Sequence, residues 1–229
     1  MKYLDVKIVV ATLLMAIVAV PVTAAVIHPT GVTTTDPTDV ALLVVDNLIN
    51  STGMSLPNGS ITDANIASVT HEGQVFGDGT NESTYTIADP VTPTLTFDLG
   101  GSFSVKTAYI WNYHDNDGFF GSTLSGNGTS SATVTFELGG GAVGPTVIIT
   151  PAEAPTAIGV DALASAHLLS AAGVTADKVL ITLDSHFAGG DRIGLGEVRF
   201  STAAPVPEPA TCALLGLGYI SFLSMRRKR

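Results

Sequence analysis

The chain has 229 residues, a net charge of −10 and only 13% charged residues, about half the ~25% usual in soluble proteins. Its 24 glycines and 12 prolines argue against a mostly helical fold, and the acidic balance excludes binding nucleic acid through a basic surface. A single cysteine, Cys212, excludes both an intramolecular disulfide framework and a cysteine zinc cluster.

Lys2 and Lys7 open the chain, and residues 8–20 form a run of 13 without a charge. That length suits the apolar segment of a signal peptide better than a membrane span. Pro21 ends the run, and Val22, Thr23 and Ala24 are small enough for signal peptidase to read. Residues 1–24 are therefore expected to be a signal peptide, cut after Ala24 or Ala25, with residues 25–39 as a lead-in. Residues 25–205 hold four basic residues (Lys106, Lys178, Arg192, Arg199) against 18 acids, a charge of −14. Such a surface favours neutral ligands or divalent cations over anionic polymers.

Within the body, residues 39–49 and 161–172 read as short helices, the second stopped by Gly173. Strand patterns follow. Residues 94–99 alternate so that Leu95, Phe97 and Leu99 share one face, and residues 132–138 repeat that pattern. Residues 105–113, 146–150, 178–183 and 197–200 also read as strands, Pro151 ending the second of these. Gly100-Gly101, Gly139-Gly140-Gly141 and Gly189-Gly190 mark turns. Several strands with glycine turns predict an all-β sandwich or jelly roll over residues 40–201.

Three stretches resemble the discoidin-like, or galactose-binding-like, jelly-roll family. They are Leu95-Thr96-Phe97-Asp98-Leu99-Gly100-Gly101 with Ile110-Trp111-Asn112-Tyr113, the closing Ile193-Gly194-Leu195-Gly196-Glu197-Val198-Arg199-Phe200, and the early Asp46-Asn47-Leu48-Ile49-Asn50-Ser51-Thr52-Gly53. The resemblance implies a jelly-roll sandwich with a structural Ca²⁺ tying the early loop to the last strand. Asp46 and Glu197 stand at the matching positions, with carbonyls of residues 47–52 as further ligands. The alternative is a solvated Asp46 and a Glu197 paired with Arg199 or Lys178. Where relatives carry a Gly-Arg-Gly stretch after the Trp-Asn-Tyr strand, this chain has His114-Asp115-Asn116-Asp117-Gly118-Phe119-Phe120-Gly121.

That loop is the candidate ligand site. His114, Asp115, Asn116 and Asp117 offer hydrogen bonds, and Phe119 and Phe120 an aromatic platform for a sugar ring. The alternative is that the two rings tuck into the sandwich rim. Trp111, in mid-strand, is expected in the core. The five histidines show no His-Glu-x-x-His or His-x-His spacing, and no Gly-x-Ser-x-Gly elbow occurs. No catalytic residues are assigned.

The tail has three parts. Residues 202–209 are proline-rich, residues 210–225 are apolar, and Arg226, Arg227, Lys228 and Arg229 are basic. As a helix, residues 210–225 span about 24 Å, short of the ~30 Å hydrocarbon core, and the terminal cations are expected to stay cytoplasmic. Val206-Pro207-Glu208-Pro209-Ala210-Thr211, the apolar stretch and the basic cluster closely resemble the PEP-CTERM sorting signal of Gram-negative bacteria. The resemblance implies an inner-membrane intermediate held by residues 210–225, cleavage by an exosortase, and release to the cell surface or a biofilm matrix rich in exopolysaccharide. Three readings stand at this stage: a non-catalytic surface or matrix protein, a carbohydrate-binding lectin module, and a secreted hydrolase, the last disfavoured by the missing motifs.

Overall fold

The computed structural model describes residues 25–36, 43–74, 84–88 and 91–202. The predicted signal peptide, the proline-rich linker from Ala203 onward, the apolar helix and the basic tail lie outside the described residues.

The body is a two-sheet β-sandwich. Five strands form the first sheet: β1 (Val26–Ile27), β12 (Arg192–Ser201), β6 (Thr107–Asn112) and β10 (Ser165–Leu168) in that order, with β4 (Tyr85–Ala88) also on β12. The second runs β2 (Gly31–Thr34), β5 (Thr94–Val105), β11 (Val174–His186), β7 (Thr129–Leu138) and β8 (Gly141–Ile149). A small pair, β3 (Thr70–His71) and β9 (Ala162–Leu163), lies apart from both. Among the described residues, every pairing between these named strands is antiparallel.

The alternation that predicts the strands also fills the core. Leu95, Phe97 and Leu99 from β5, Val134 and Phe136 from β7, and Val179, Ile181 and Leu183 from β11 meet Ala108, Ile110, Val198 and Phe200 between the sheets. Phe97 and Phe200 pack edge to face with ring centroids 5.6 Å apart. Between β7 and β8 the chain reverses through Gly139 and Gly140, at φ 61° and 81°, with Leu138 paired to Gly141. A two-residue turn with both φ positive matches the right-handed strand twist and calls for glycine.

The two predicted helices are corrected. Of residues 39–49, 39–42 lie outside the described residues and only Val45–Leu48 turns, as a 3-10 helix. Residues 161–172 contain β9 and β10 instead, because β10 finds a partner in β6, Ser165 facing Ile110 and Leu168 facing Thr107. Strand pairing overrides the helix propensity of an Ala/Leu-rich run. The predicted strand at 105–113 is also divided. Val105 ends β5 in the second sheet and Thr107 begins β6 in the first, so Lys106 is the corner where the chain changes sheets. Gly100-Gly101 lies within β5 as an irregularity of its ladder with β11, between Asp98 and Phe103.

The outer face of the first sheet is covered as well. Residues 43–74 fold across it, and Ile61, Ile66 and Val69 form a second apolar cluster with Tyr109 and Trp111. Along β6, Ala108 and Ile110 point into the sandwich while Tyr109 and Trp111 point outward under this cover. Trp111 is buried, and its indole Nε1 donates to the Val69 carbonyl at 2.9 Å.

Candidate functional site

One end of the sandwich gathers the loop after β6 (113–128), the connection after β8 (150–161) and the β11–β12 turn (187–191). Asn112, at the end of β6, fixes the base of the first. Its Nδ2 donates to the carbonyls of Thr129 and Ala152, at 2.8 and 2.9 Å. Its Oδ1 accepts from the amides of Thr129 and Tyr113, at 2.8 and 3.1 Å. One buried amide thus ties β6, β7 and the 150s segment together, using all of its hydrogen-bonding capacity.

Above that base the loop divides into a buried half and a presented half. His114 and Asp115 are buried and do not face a ligand. Burial holds the His114 pKa below the ordinary value, with the backbone of Asn112 and Val160 opposing that shift. The Asp115 carboxyl is pushed up to about 7, by burial first and by Asp117 second. Backbone bonds lock this half. The Gln74 amide donates to the His114 carbonyl at 2.8 Å, the Asn116 amide to the Gln74 carbonyl at 2.9 Å, and the Asp115 amide to the Thr123 carbonyl.

Asn116 and Asp117 are half-buried. Asn116 Nδ2 donates to Asp161 Oδ1 at 3.1 Å, and the Phe119 amide donates to Asp117 Oδ1 at 2.9 Å. Gly118, at φ 63°, brings the backbone down onto Ile158, whose Cδ1 would stand 2.3 Å from any added Cβ. Phe119 and Phe120 then project outward, 63% and 60% exposed, with centroids 5.1 Å apart and rings nearly perpendicular. Ile158 is 55% exposed, so the loop tip presents an apolar surface of two rings and one branched side chain.

The same loops line a cleft of about 480 Å³ bordered by Ser125, Asn127, Glu153, Thr156, Gly189 and Asp191. Ser125 Oγ donates to Glu153 Oε1 at 2.9 Å, and Asn127 Oδ1 accepts from the amides of Asp191 and Arg192. Sequence reading found the two phenylalanines but missed Ile158, Asp161 and the anchoring role of Asn112, whose partners are distant in sequence.

The second pair of candidates, Asp46 and Glu197, is placed very differently. Asp46 is exposed in the Val45–Leu48 turn. Glu197 is fully buried on the outer face of β12 and forms an ion pair with the equally buried Arg199. A bulge at Gly196 puts it there, because the β12–β6 register slips between Leu195 and Glu197. Leu195 and Val198 both reach the core, and Glu197 and Arg199 turn away beneath the covering loop. Burial pushes the Glu197 carboxyl up, and the Arg199 charge opposes that shift. Among the described residues, no three His, Cys, Asp or Glu side chains are grouped to hold a metal.

The chain is similar to several solved structures. The lectin domain of Lectinolysin complexed with Lewis B antigen is 11% identical, with a TM-score of 0.47 over 76% of this chain and 93% of that one. A Streptococcus pneumoniae fucose binding module is 15% identical, with a TM-score of 0.46 over 76% and 95%. A family 32 carbohydrate-binding module from C. perfringens NanJ, solved with galactose, is 14% identical, with a TM-score of 0.41 over 78% and 98%. No curated protein matches the sequence. Residues 205–229 match the PEP-CTERM protein-sorting motif, which marks the chain for export and sorting to the cell surface.

Proposed function

We propose that this is a non-catalytic, surface-sorted protein whose β-sandwich binds a neutral glycan through the loop at residues 116–120. The C-terminal motif supports the delivery. Signal peptidase removes residues 1–24, residues 210–225 hold the intermediate in the inner membrane, and an exosortase cuts at the Pro207-Glu208-Pro209 segment. The mature body then resides among the exopolysaccharide of the producing cell.

The observation that carries the binding role is the exposure of Phe119 and Phe120 on a loop whose backbone is tied at both ends. An aromatic face packs against the apolar side of a sugar ring, and a few directional hydrogen bonds set its orientation. Asn116 and Asp117 stand beside the rings to give those bonds. His114 and Asp115, expected as donors from the sequence, act here as buried supports of the loop. With 18 acids against only four basic residues, the body disfavours an anionic sugar. Single-site affinity on the order of 1 mM, about −4 kcal/mol, is sufficient where many copies meet a polymer.

The test is calorimetric titration of the purified exported chain with polysaccharide from the producing cell. Phe119→Ala and Phe120→Ala are each expected to weaken binding about tenfold, equivalent to ~1.4 kcal/mol, without moving the melting temperature. Binding that survives both substitutions would remove this loop as the site.

A further inference from the structure

The fold resemblance implies a calcium ion between the early loop and the last strand, and the residues here do not fit one. Ca²⁺ needs six to eight oxygens, carboxylate included, converging on one point. Oxygens do converge beneath residues 48–58, but on the guanidinium of Arg199. Its Nη1 donates to the carbonyls of Val198, at 2.7 Å, and Leu48, at 3.4 Å. Its Nη2 donates to the Ile49 carbonyl at 3.1 Å, Ser51 Oγ at 2.9 Å and Asn58 Oδ1. Glu197 Oε1 completes the ring through the ion pair on Nη1. The Leu48 and Ile49 carbonyls, Ser51 Oγ and Asn58 Oδ1 that a metal would need are therefore spent on Arg199, Glu197 meets it through Oε1 alone, and Asp46 is exposed. A divalent ion at that centre would face a like charge at contact distance.

We infer that Arg199 is a built-in cation that clamps residues 48–58 onto β12, so that this chain holds its early loop without a metal ion. The chemistry suits the task. A guanidinium keeps its charge under burial and presents donors in a fixed plane, so one side chain serves several acceptors that a hydrated ion would otherwise coordinate. The loop is shaped for it. Ser51 adopts φ 64°, the left-handed region that costs a non-glycine residue strain, and its hydroxyl reaches both Asn58 Oδ1 and Arg199. The bulge at Gly196 turns Glu197 outward to pair with Arg199. Beyond the clamp, Ile61, Ile66 and Val69 cover Trp111 and Tyr109, so Arg199 secures the cover of the outer sheet face.

Thermal unfolding of the exported chain, with hydrogen exchange read at residues 48–60, tests this. Wild type should melt at the same temperature with millimolar calcium and with excess chelator. Arg199→Ala should lower the melting temperature by roughly 10 °C, as loss of one partner of a buried ion pair does, and should raise exchange at residues 48–60. If that variant does not fold, Arg199→Lys, which keeps the charge but loses the fork, should still fold and show the raised exchange. A chelator-induced fall in the wild-type melting temperature would overturn the inference. So would an Arg199→Ala or Arg199→Lys chain with wild-type melting and wild-type exchange.

Discussion

Asp115 shows how a polar residue in an exposed loop can serve the fold rather than a ligand. Its carboxyl is buried near Asp117 and titrates at about 7, against roughly 3.9 in an unfolded chain. A folded-state value above the unfolded one means a contribution fully present below ~3.9 and lost as pH rises toward 7. Asp115→Asn keeps an acceptor for the Asp117 amide, 3.3 Å from Oδ1, and removes the titration. Its melting temperature relative to wild type should therefore climb between about pH 4 and pH 7 and stay level above. A difference that is constant with pH would show that Asp115 does not ionise in this way. His114, held low by burial, works in the opposite sense: its neutral form is favoured, and stability is lost as pH falls below about 6.5. Neither residue's burial was legible in the sequence, where His114 and Asp115 look like the natural hydrogen-bonding pair of an exposed loop. They go inside because Gln74 and Thr123 bond the adjoining backbone, contacts that no local pattern announces.

At the scale of elements, the strands with a clean two-residue period were legible and the irregular ones were not. Leu95, Phe97 and Leu99, and the run through Val134 and Phe136, all reach the core as their alternation predicts. β12 hides its period, because Gly196 inserts one extra residue and moves the inward set from Ile193 and Leu195 to Val198 and Phe200. β6 hides it in another way, being apolar on both faces since both are covered. β10 looked helical because Ala and Leu favour helices when nothing else decides, and its edge pairing with β6 decides otherwise. Among residues that join elements, Asn112 makes the sharpest prediction. Asn112→Ala leaves the amide and carbonyl of Thr129 without their side-chain partner and should cost about 3 kcal/mol. Chemical denaturation should report that loss, and glycan binding should weaken with it because the loop base is released. An Asn112→Ala chain as stable as wild type would mean that the loop is anchored elsewhere.

For the whole molecule, the acidic, cysteine-free body and the sorting tail fit a protein that works outside the cell. The sandwich separates its tasks by face and by end: one sheet face is shielded by the residue 43–74 cover, and one end presents Phe119 and Phe120. The C-terminal sorting motif was legible because it is linear, carried by consecutive residues 205–229. The proposed platform was legible only as two phenylalanines between glycines, since the residues that support the loop, Ile158 and Asp161, come from a connection some 40 residues away. In this proposal the body reaches the cell surface without its tail and is held there by polysaccharide. Intact-mass spectrometry of protein released from the producer's surface by soluble fragments of its own polysaccharide tests that claim directly. The released chain should begin near Ala25 and end between Pro207 and Ala210. Recovery of chains that still carry Arg226, Arg227, Lys228 and Arg229, or no release by the fragments, would contradict it.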